Sequence, residues 1–97
     1  MKLIVFGSHL CPDTLGALQR LYEAGIAVSY HDILSCHADL RAYLQLRDNH
    51  EAYREIRGTE RLGVPCFVFD DGSLTLELSE ALQRVMQQKE SEANEKK

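Results

Sequence analysis

Leu3-Ile4-Val5-Phe6-Gly7-Ser8-His9-Leu10-Cys11-Pro12-Asp13-Thr14 is the stretch that decides how this chain is read. Its first residues continue Lys2 into an apolar, β-branched run, the pattern of a strand covered on both faces. Gly7 and Ser8 end that strand. Pro12 suits the first position of a helix, because its missing N–H has no intrahelical partner to lose and its φ is already helical. Cys11 therefore stands at the mouth of a helix, where unpaired N–H groups and the helix dipole favour an anion. Cysteine reacts as its thiolate, so this place lowers its pKa and activates it. Asp13 suits the first turn of the helix but opposes a neighbouring thiolate. Thr14 stands where a dithiol enzyme would carry its second cysteine, so the local chemistry is that of a single reactive sulfur.

Composition bounds the rest. Ninety-seven residues make one domain, near the small end of what buries a self-sufficient core. A net charge of -4 argues against general nucleic-acid binding, which needs a basic face. No apolar run approaches the ~20 residues that span a bilayer, so no membrane association is expected. No apolar signal segment precedes the first strand, which makes the cytoplasm the expected compartment. Three widely spaced cysteines do not form a disulfide framework and are expected as free thiols.

Beyond the opening strand, Leu15, Leu18 and Tyr22 recur at helical spacing from Pro12 to about Ala24, with Leu21 flanking them and Gly25 as a C-terminal cap. Ile26, Val28 and Tyr30 then alternate with Ala27, Ser29 and His31, which is strand spacing. Residues 32–37 connect to a helix-favouring stretch over 38–57, capped by Ser35 or His37. Leu40, Tyr43, Leu44, Tyr53 and Ile56 are its expected buried face, and Asp48-Asn49-His50 is a point where it can break. A polar loop over 58–63 precedes a third strand, Cys66-Phe67-Val68-Phe69. Asp71-Gly72 is a two-residue hairpin signal leading to a fourth strand over 73–77. Ser79 can cap a last helix whose face is Leu78, Ala81, Leu82, Val85 and Met86. The domain is expected to occupy residues 1–88, followed by a charged, flexible tail over 89–97. The expected architecture is α/β with a four-stranded mixed sheet in the order β-α-β-α-β-β-α, a thioredoxin-like fold with its cysteine at the carboxyl end of the first strand, the edge where such sheets build sites.

Cys11-Pro12-Asp13-Thr14 together with Gly63-Val64-Pro65 resembles the glutaredoxin family, with Cys-Pro-Asp-Thr in place of Cys-Pro-x-Cys. The resemblance covers roughly residues 1–88 and extends to Leu46-Arg47-Asp48 and Cys66, as in a subgroup labelled glutaredoxin-related. It implies a cis Val64-Pro65 bond lying against Cys11, with the backbone of Val64 receiving a peptide-like thiol such as glutathione. The sequence departs from that family in two places. Ser8 stands where a cation usually meets a glutathione carboxylate, and Leu76-Glu77-Leu78-Ser79-Glu80 lacks the glycines of the usual turn.

The expected activity is monothiol thiol–disulfide exchange, with Cys11 as nucleophile, no bound cofactor, and glutathione or a protein disulfide as partner of a monomer. Thr14 is read either as a hydrogen-bond partner of the thiolate or as an ordinary first-turn residue, and His9 as an exposed loop residue that could stabilise the thiolate as an imidazolium. Cys36 and Cys66 are the chain's own candidate resolving thiols, although Cys66 also suits a core position and Cys36 a helix-cap surface. The alternative is a non-catalytic redox sensor or protein-binding module. Cys36, His37 and His31 lack the spacing of a tetrahedral metal site, so none is expected. Arg47, Arg54, Arg57 and Arg61 are read as a solvated face, one of which could reach a substrate carboxylate.

Overall fold

The computed structural model describes residues 3–95, with side chains through residue 90. Its elements are β1 (Leu3–Gly7), α1 (Pro12–Glu23), β2 (Val28–Asp32), α2 (His37–Asn49), a 3₁₀ turn (Glu51–Tyr53), β3 (Cys66–Val68), β4 (Leu74–Thr75) and α3 (Leu78–Glu95). They form one four-stranded mixed sheet in the order β2-β1-β3-β4. β1 pairs parallel with β2 and antiparallel with β3, and β3 pairs antiparallel with β4. No described helix is long and apolar enough to cross a membrane.

Strand alternation divides the core into two layers. Leu3 and Val5 of β1, with Phe67 and Phe69, face α1 and α3 and meet Ala17, Leu21, Ala81 and Val85. Phe6, Cys66 and Leu74 face the other side and meet Ile33, Tyr43, Tyr53 and Ile56. A strand with helices on both faces must be apolar on both, which is why Leu3 to Phe6 reads as a continuous run. Leu21 is fully buried, a position contributing about 1.5–3 kcal/mol of transfer free energy.

The buried stripe of α1 is Thr14, Ala17 and Leu21, not Leu15, Leu18 and Tyr22. Leu15 and Tyr22 are exposed. Small Thr14 and Ala17 let the helix sit close to the sheet, and the larger residues turn to its flank, where they border Ile26, Val28 and Tyr30. Periodicity identified the helix but placed its inward face one position off. Gly25, at φ 72, closes the helix as expected. Its N–H bonds Tyr22 C=O, and Ile26 N–H bonds Leu21 C=O, each at 3.0 Å, a Schellman motif with Ile26 packed in Leu21's cluster.

Other boundaries shift for local reasons. Cys36, rather than Ser35 or His37, is the N-cap residue of α2, and its side chain caps nothing. The stretch over 38–57 does break at His50, whose Nδ1 accepts from Ala52 N–H at the start of the 3₁₀ turn. Leu44 is exposed. The β3–β4 hairpin has a three-residue loop, Asp70-Asp71-Gly72, instead of two. Phe69 N–H bonds Ser73 C=O, and Gly72, at φ 85, donates to Phe69 C=O, the pattern of a turn followed by a left-handed glycine. Ser79 lies inside α3. Glu77 C=O accepts from Ala81 N–H, and the Thr75 hydroxyl takes Glu77 N–H and bonds Glu80 at 2.8 Å. Met86 is exposed, while Ala81 and Val85 are buried. The helix continues to Glu95, past the expected boundary at 88. Lys2 of the expected first strand and residues 96–97 of the expected tail lie outside the described residues.

Candidate functional site

Cys11 is the N-cap residue of α1, in extended backbone immediately before Pro12. Its thiol is held below the ordinary value chiefly by the Thr14 hydroxyl. Partial burial opposes this, the N–H groups of Thr14 and Asp13 add to it, and the Asp13 charge works against it. The helix N-terminus thus acts through individual donors, with the side chain of Thr14 foremost.

Thr14 is fully buried, and its Oγ1 also accepts from Ser8 N–H at 3.3 Å. One hydroxyl therefore links the end of β1 to the sulfur: it accepts from the backbone on one side and donates to the thiolate on the other. Gly7 makes the seat possible. A Cβ there would stand 2.4 Å from Thr14 Cγ2 and 2.8 Å from its Oγ1. Ser8 is itself buried, and its Oγ accepts from Leu10 N–H at 3.1 Å, so it shapes the loop instead of presenting a surface group.

His9 does not face the sulfur. Its Nδ1 lies 2.6 Å from Asp32 Oδ2, which also accepts His9 N–H at 3.0 Å, while Asp32 Oδ1 takes Leu34 N–H at 2.8 Å. Burial pushes the Asp32 carboxyl up, but the donors from Leu34 and His9 outweigh it and hold the group below its usual range. His9 is an exposed loop residue whose bonds to Asp32 form a clamp that ties the Cys11 loop to the end of β2. Nearby, burial and then the Asp32 charge push the Tyr30 hydroxyl up to about 12.

The Val64-Pro65 bond is cis, as the sequence resemblance implied. A groove of about 590 Å³ runs between it and the thiol, lined by Cys11, Asp13, Arg61, Leu62, Val64 and Pro65 and, beyond them, by Leu76 to Leu78. The loop forming its wall is fastened from within. The Tyr43 hydroxyl donates to Leu62 C=O and the Tyr53 hydroxyl to Gly63 C=O, the latter at 3.1 Å. Gly63 sits at φ 79, and a Cβ there would stand 2.5 Å from Tyr53 Cε1. Arg47 Nη2 reaches the carbonyls of Ile56, Thr59 and Arg61, at 3.3, 3.4 and 2.8 Å. Arg57 Nη1 bonds those of Arg47 and His50. Two of the four arginines read as a solvated face are thus staples. Arg54 pairs with Glu51 in solvent, and Arg61 borders the groove.

The two other cysteines part company. Cys66 is fully buried under Tyr53, and burial pushes its thiol up to about 11 despite a hydrogen bond with that tyrosine. It is unsuited to resolving a mixed disulfide in the folded chain. Cys36 is exposed at the start of α2. Among the described residues, no group of three or more His, Cys, Asp or Glu side chains is placed to hold a metal ion.

The chain is 27% identical over 78 residues to an uncharacterized protein of Haemophilus influenzae, an alignment covering 80% of this chain and 91% of that one. It is also 33% identical over 70 residues to malonate-semialdehyde dehydrogenase 1 of Geobacillus kaustophilus. That match covers 72% of this chain but only 14% of the dehydrogenase. No family model matches, and no solved structure matches.

Proposed function

We propose that the chain is a monothiol thiol–disulfide oxidoreductase of glutaredoxin type, on a thioredoxin-like fold, with Cys11 as nucleophile and glutathione or a protein disulfide as partner. The observation that carries this reading is the groove that Cys11, with its lowered thiol, lines together with Val64 and Pro65. The Cys11 thiolate attacks one sulfur of a substrate disulfide. The old S–S bond breaks, a new one forms to Cys11, and the departing thiolate leaves with the electron pair and takes a proton from water. A second thiolate then attacks the mixed disulfide and releases Cys11. Cys66 is enclosed, so that second thiol is the exposed Cys36 or one from outside the chain, such as glutathione. Val64 offers its backbone to an extended substrate, and Arg61 supplies the cation that Ser8 does not. Cytoplasmic placement fits free thiols.

The exposed side chains of Leu10 and Leu62, at 72% and 63%, flank the site and favour a polypeptide disulfide as the physiological oxidant. The test is incubation with oxidised glutathione, mass mapping of the adduct, and turnover in the presence of reduced glutathione. A glutathionyl group on Cys11, absent from Cys11→Ser and removed by reduced glutathione, is the expected result. An adduct that forms but never turns over would favour the redox sensor, and no adduct would overturn the reading.

A further inference from the structure

A second constellation lies on the other face of the sheet, apart from Cys11. Ser29 Oγ stands 3.3 Å from His31 Nε2, and His31 Nδ1 stands 2.9 Å from Asp39 Oδ1. Ser29 and His31 are two residues apart on β2, so their side chains share a face; Asp39 comes from the first turn of α2. The His31 ring is fixed by stacking on Phe6, with centroids 5.3 Å apart and planes inclined by 29°. All three side chains remain reachable, with His31 36% and Asp39 26% exposed and Ser29 half-buried.

The geometry points to a serine nucleophile with its general base and orienting carboxylate, acting on small activated acyl compounds, esters or thioesters. The Asp39 bond to Nδ1 sets the tautomer in which Nε2 is free to accept the Ser29 proton. Ser29 Oγ adds to the acyl carbon, its proton passes to His31 Nε2, and that proton leaves with the alcohol or thiol as the acyl bond breaks. Water then hydrolyses the acyl-serine by the same base and returns the proton to Ser29. β2 is an edge strand. Leu3 N–H bonds Ala27 C=O, and Ile33 N–H bonds Gly7 C=O. By alternation along this parallel ladder, Ser29 and His31 turn their backbone groups to β1 and Tyr30 turns its N–H to the open edge. That amide, the one following the nucleophile, is the nearest preformed donor for a developing oxyanion. With a single donor and no enclosed pocket, the expected reaction is slow acylation rather than efficient turnover.

The test is reaction of the full chain with a fluorophosphonate, with the labelled residue mapped by mass spectrometry, and with p-nitrophenyl acetate in a Cys11→Ser/Cys36→Ser background that removes acylation at the two accessible thiols. The expected result is a phosphonyl adduct on Ser29 whose rate of formation falls about 10²-fold in His31→Gln. Asp39→Asn should lower the rate at unchanged helicity, and Asp39→Glu should recover part of it. Absence of an adduct on Ser29, or labelling indifferent to His31, would leave the three residues as a clip between β2 and α2 and overturn the assignment.

Discussion

Gly7→Ala is the sharpest perturbation of the candidate site, because the consequence is set by distances already given. The new methyl would stand 2.4 Å from Thr14 Cγ2 and 2.8 Å from Oγ1. Neither is the free end of a flexible side chain, since Thr14 is fully buried and its hydroxyl is bonded to Ser8 N–H. Over-packing of this kind costs about 1–3 kcal/mol. For a domain of this size, the middle of that range corresponds to a fall in Tm of roughly 8–16 °C. The same displacement moves the hydroxyl away from Cys11, so iodoacetamide should alkylate Cys11 more slowly at pH 7 in the folded variant. Thr14→Ala alone leaves Ser8 N–H buried without its acceptor, at about 1–3 kcal/mol. In Gly7→Ala/Thr14→Ala the nearest surviving side-chain atom is Thr14 Cβ, 3.2 Å from the new methyl, and most of the clash is gone. The double variant should therefore be more stable than the sum of the single losses by about 1 kcal/mol, while Cys11 stays slow. Paired thermal melts and alkylation rates decide the matter. Wild-type melting and alkylation in Gly7→Ala, or strict additivity in the double variant, would refute the proposed coupling of Gly7, Thr14 and Cys11.

Three further outcomes are expected. Ellman's reagent should titrate two thiols in the native chain, Cys11 and Cys36, and a third only in denaturant, because Cys66 is enclosed. The Cys66 thiol, pushed up from 9.0 to about 11, holds its proton more tightly folded than unfolded. Its contribution is complete below the unfolded value and is lost as pH rises through the folded one, about 3 kcal/mol in all. Denaturant titrations from pH 8 to 10, below the range where Tyr30 and Tyr43 add a decline of their own, should show the first part of that loss, and Cys66→Ala should remove it. Tyr43→Phe frees Leu62 C=O and should cost about 1–2 kcal/mol while weakening glutathione-dependent turnover through KM; unchanged KM would separate the loop anchor from the groove.

The architecture was legible because its signals are local. Apolar runs, the helix start at Pro12 and the glycines at 25 and 72 each act within a few residues. Cys11 was legible for the same reason, as a sulfur placed at a helix mouth by its immediate neighbours. What escaped depends on partners distant in sequence. Nothing near His9 announces Asp32, and nothing near Arg47 announces three carbonyls between residues 56 and 61. The inward face of α1 was misplaced because periodicity weights large side chains, whereas close packing on the sheet selected Thr14 and Ala17. Asp71-Gly72 signalled the hairpin correctly, but Asp70 joined the loop, a choice made by the β3–β4 pairing.

The fastening of the 56–63 loop also gives it a polarity. Tyr43, Tyr53 and Arg47 together occupy the carbonyl oxygens of Ile56, Thr59, Arg61, Leu62 and Gly63. Among the described residues, the amides of Leu62, Gly63 and Val64 have no such partner. At Leu62 and Gly63 the loop therefore gives its carbonyls to the interior and leaves its amides unclaimed. A molecule that lies along these two residues finds complementarity by bringing oxygens to those amides. The bias there comes from Tyr43 and Tyr53, side chains in the core layer on the far side of the sheet from α1.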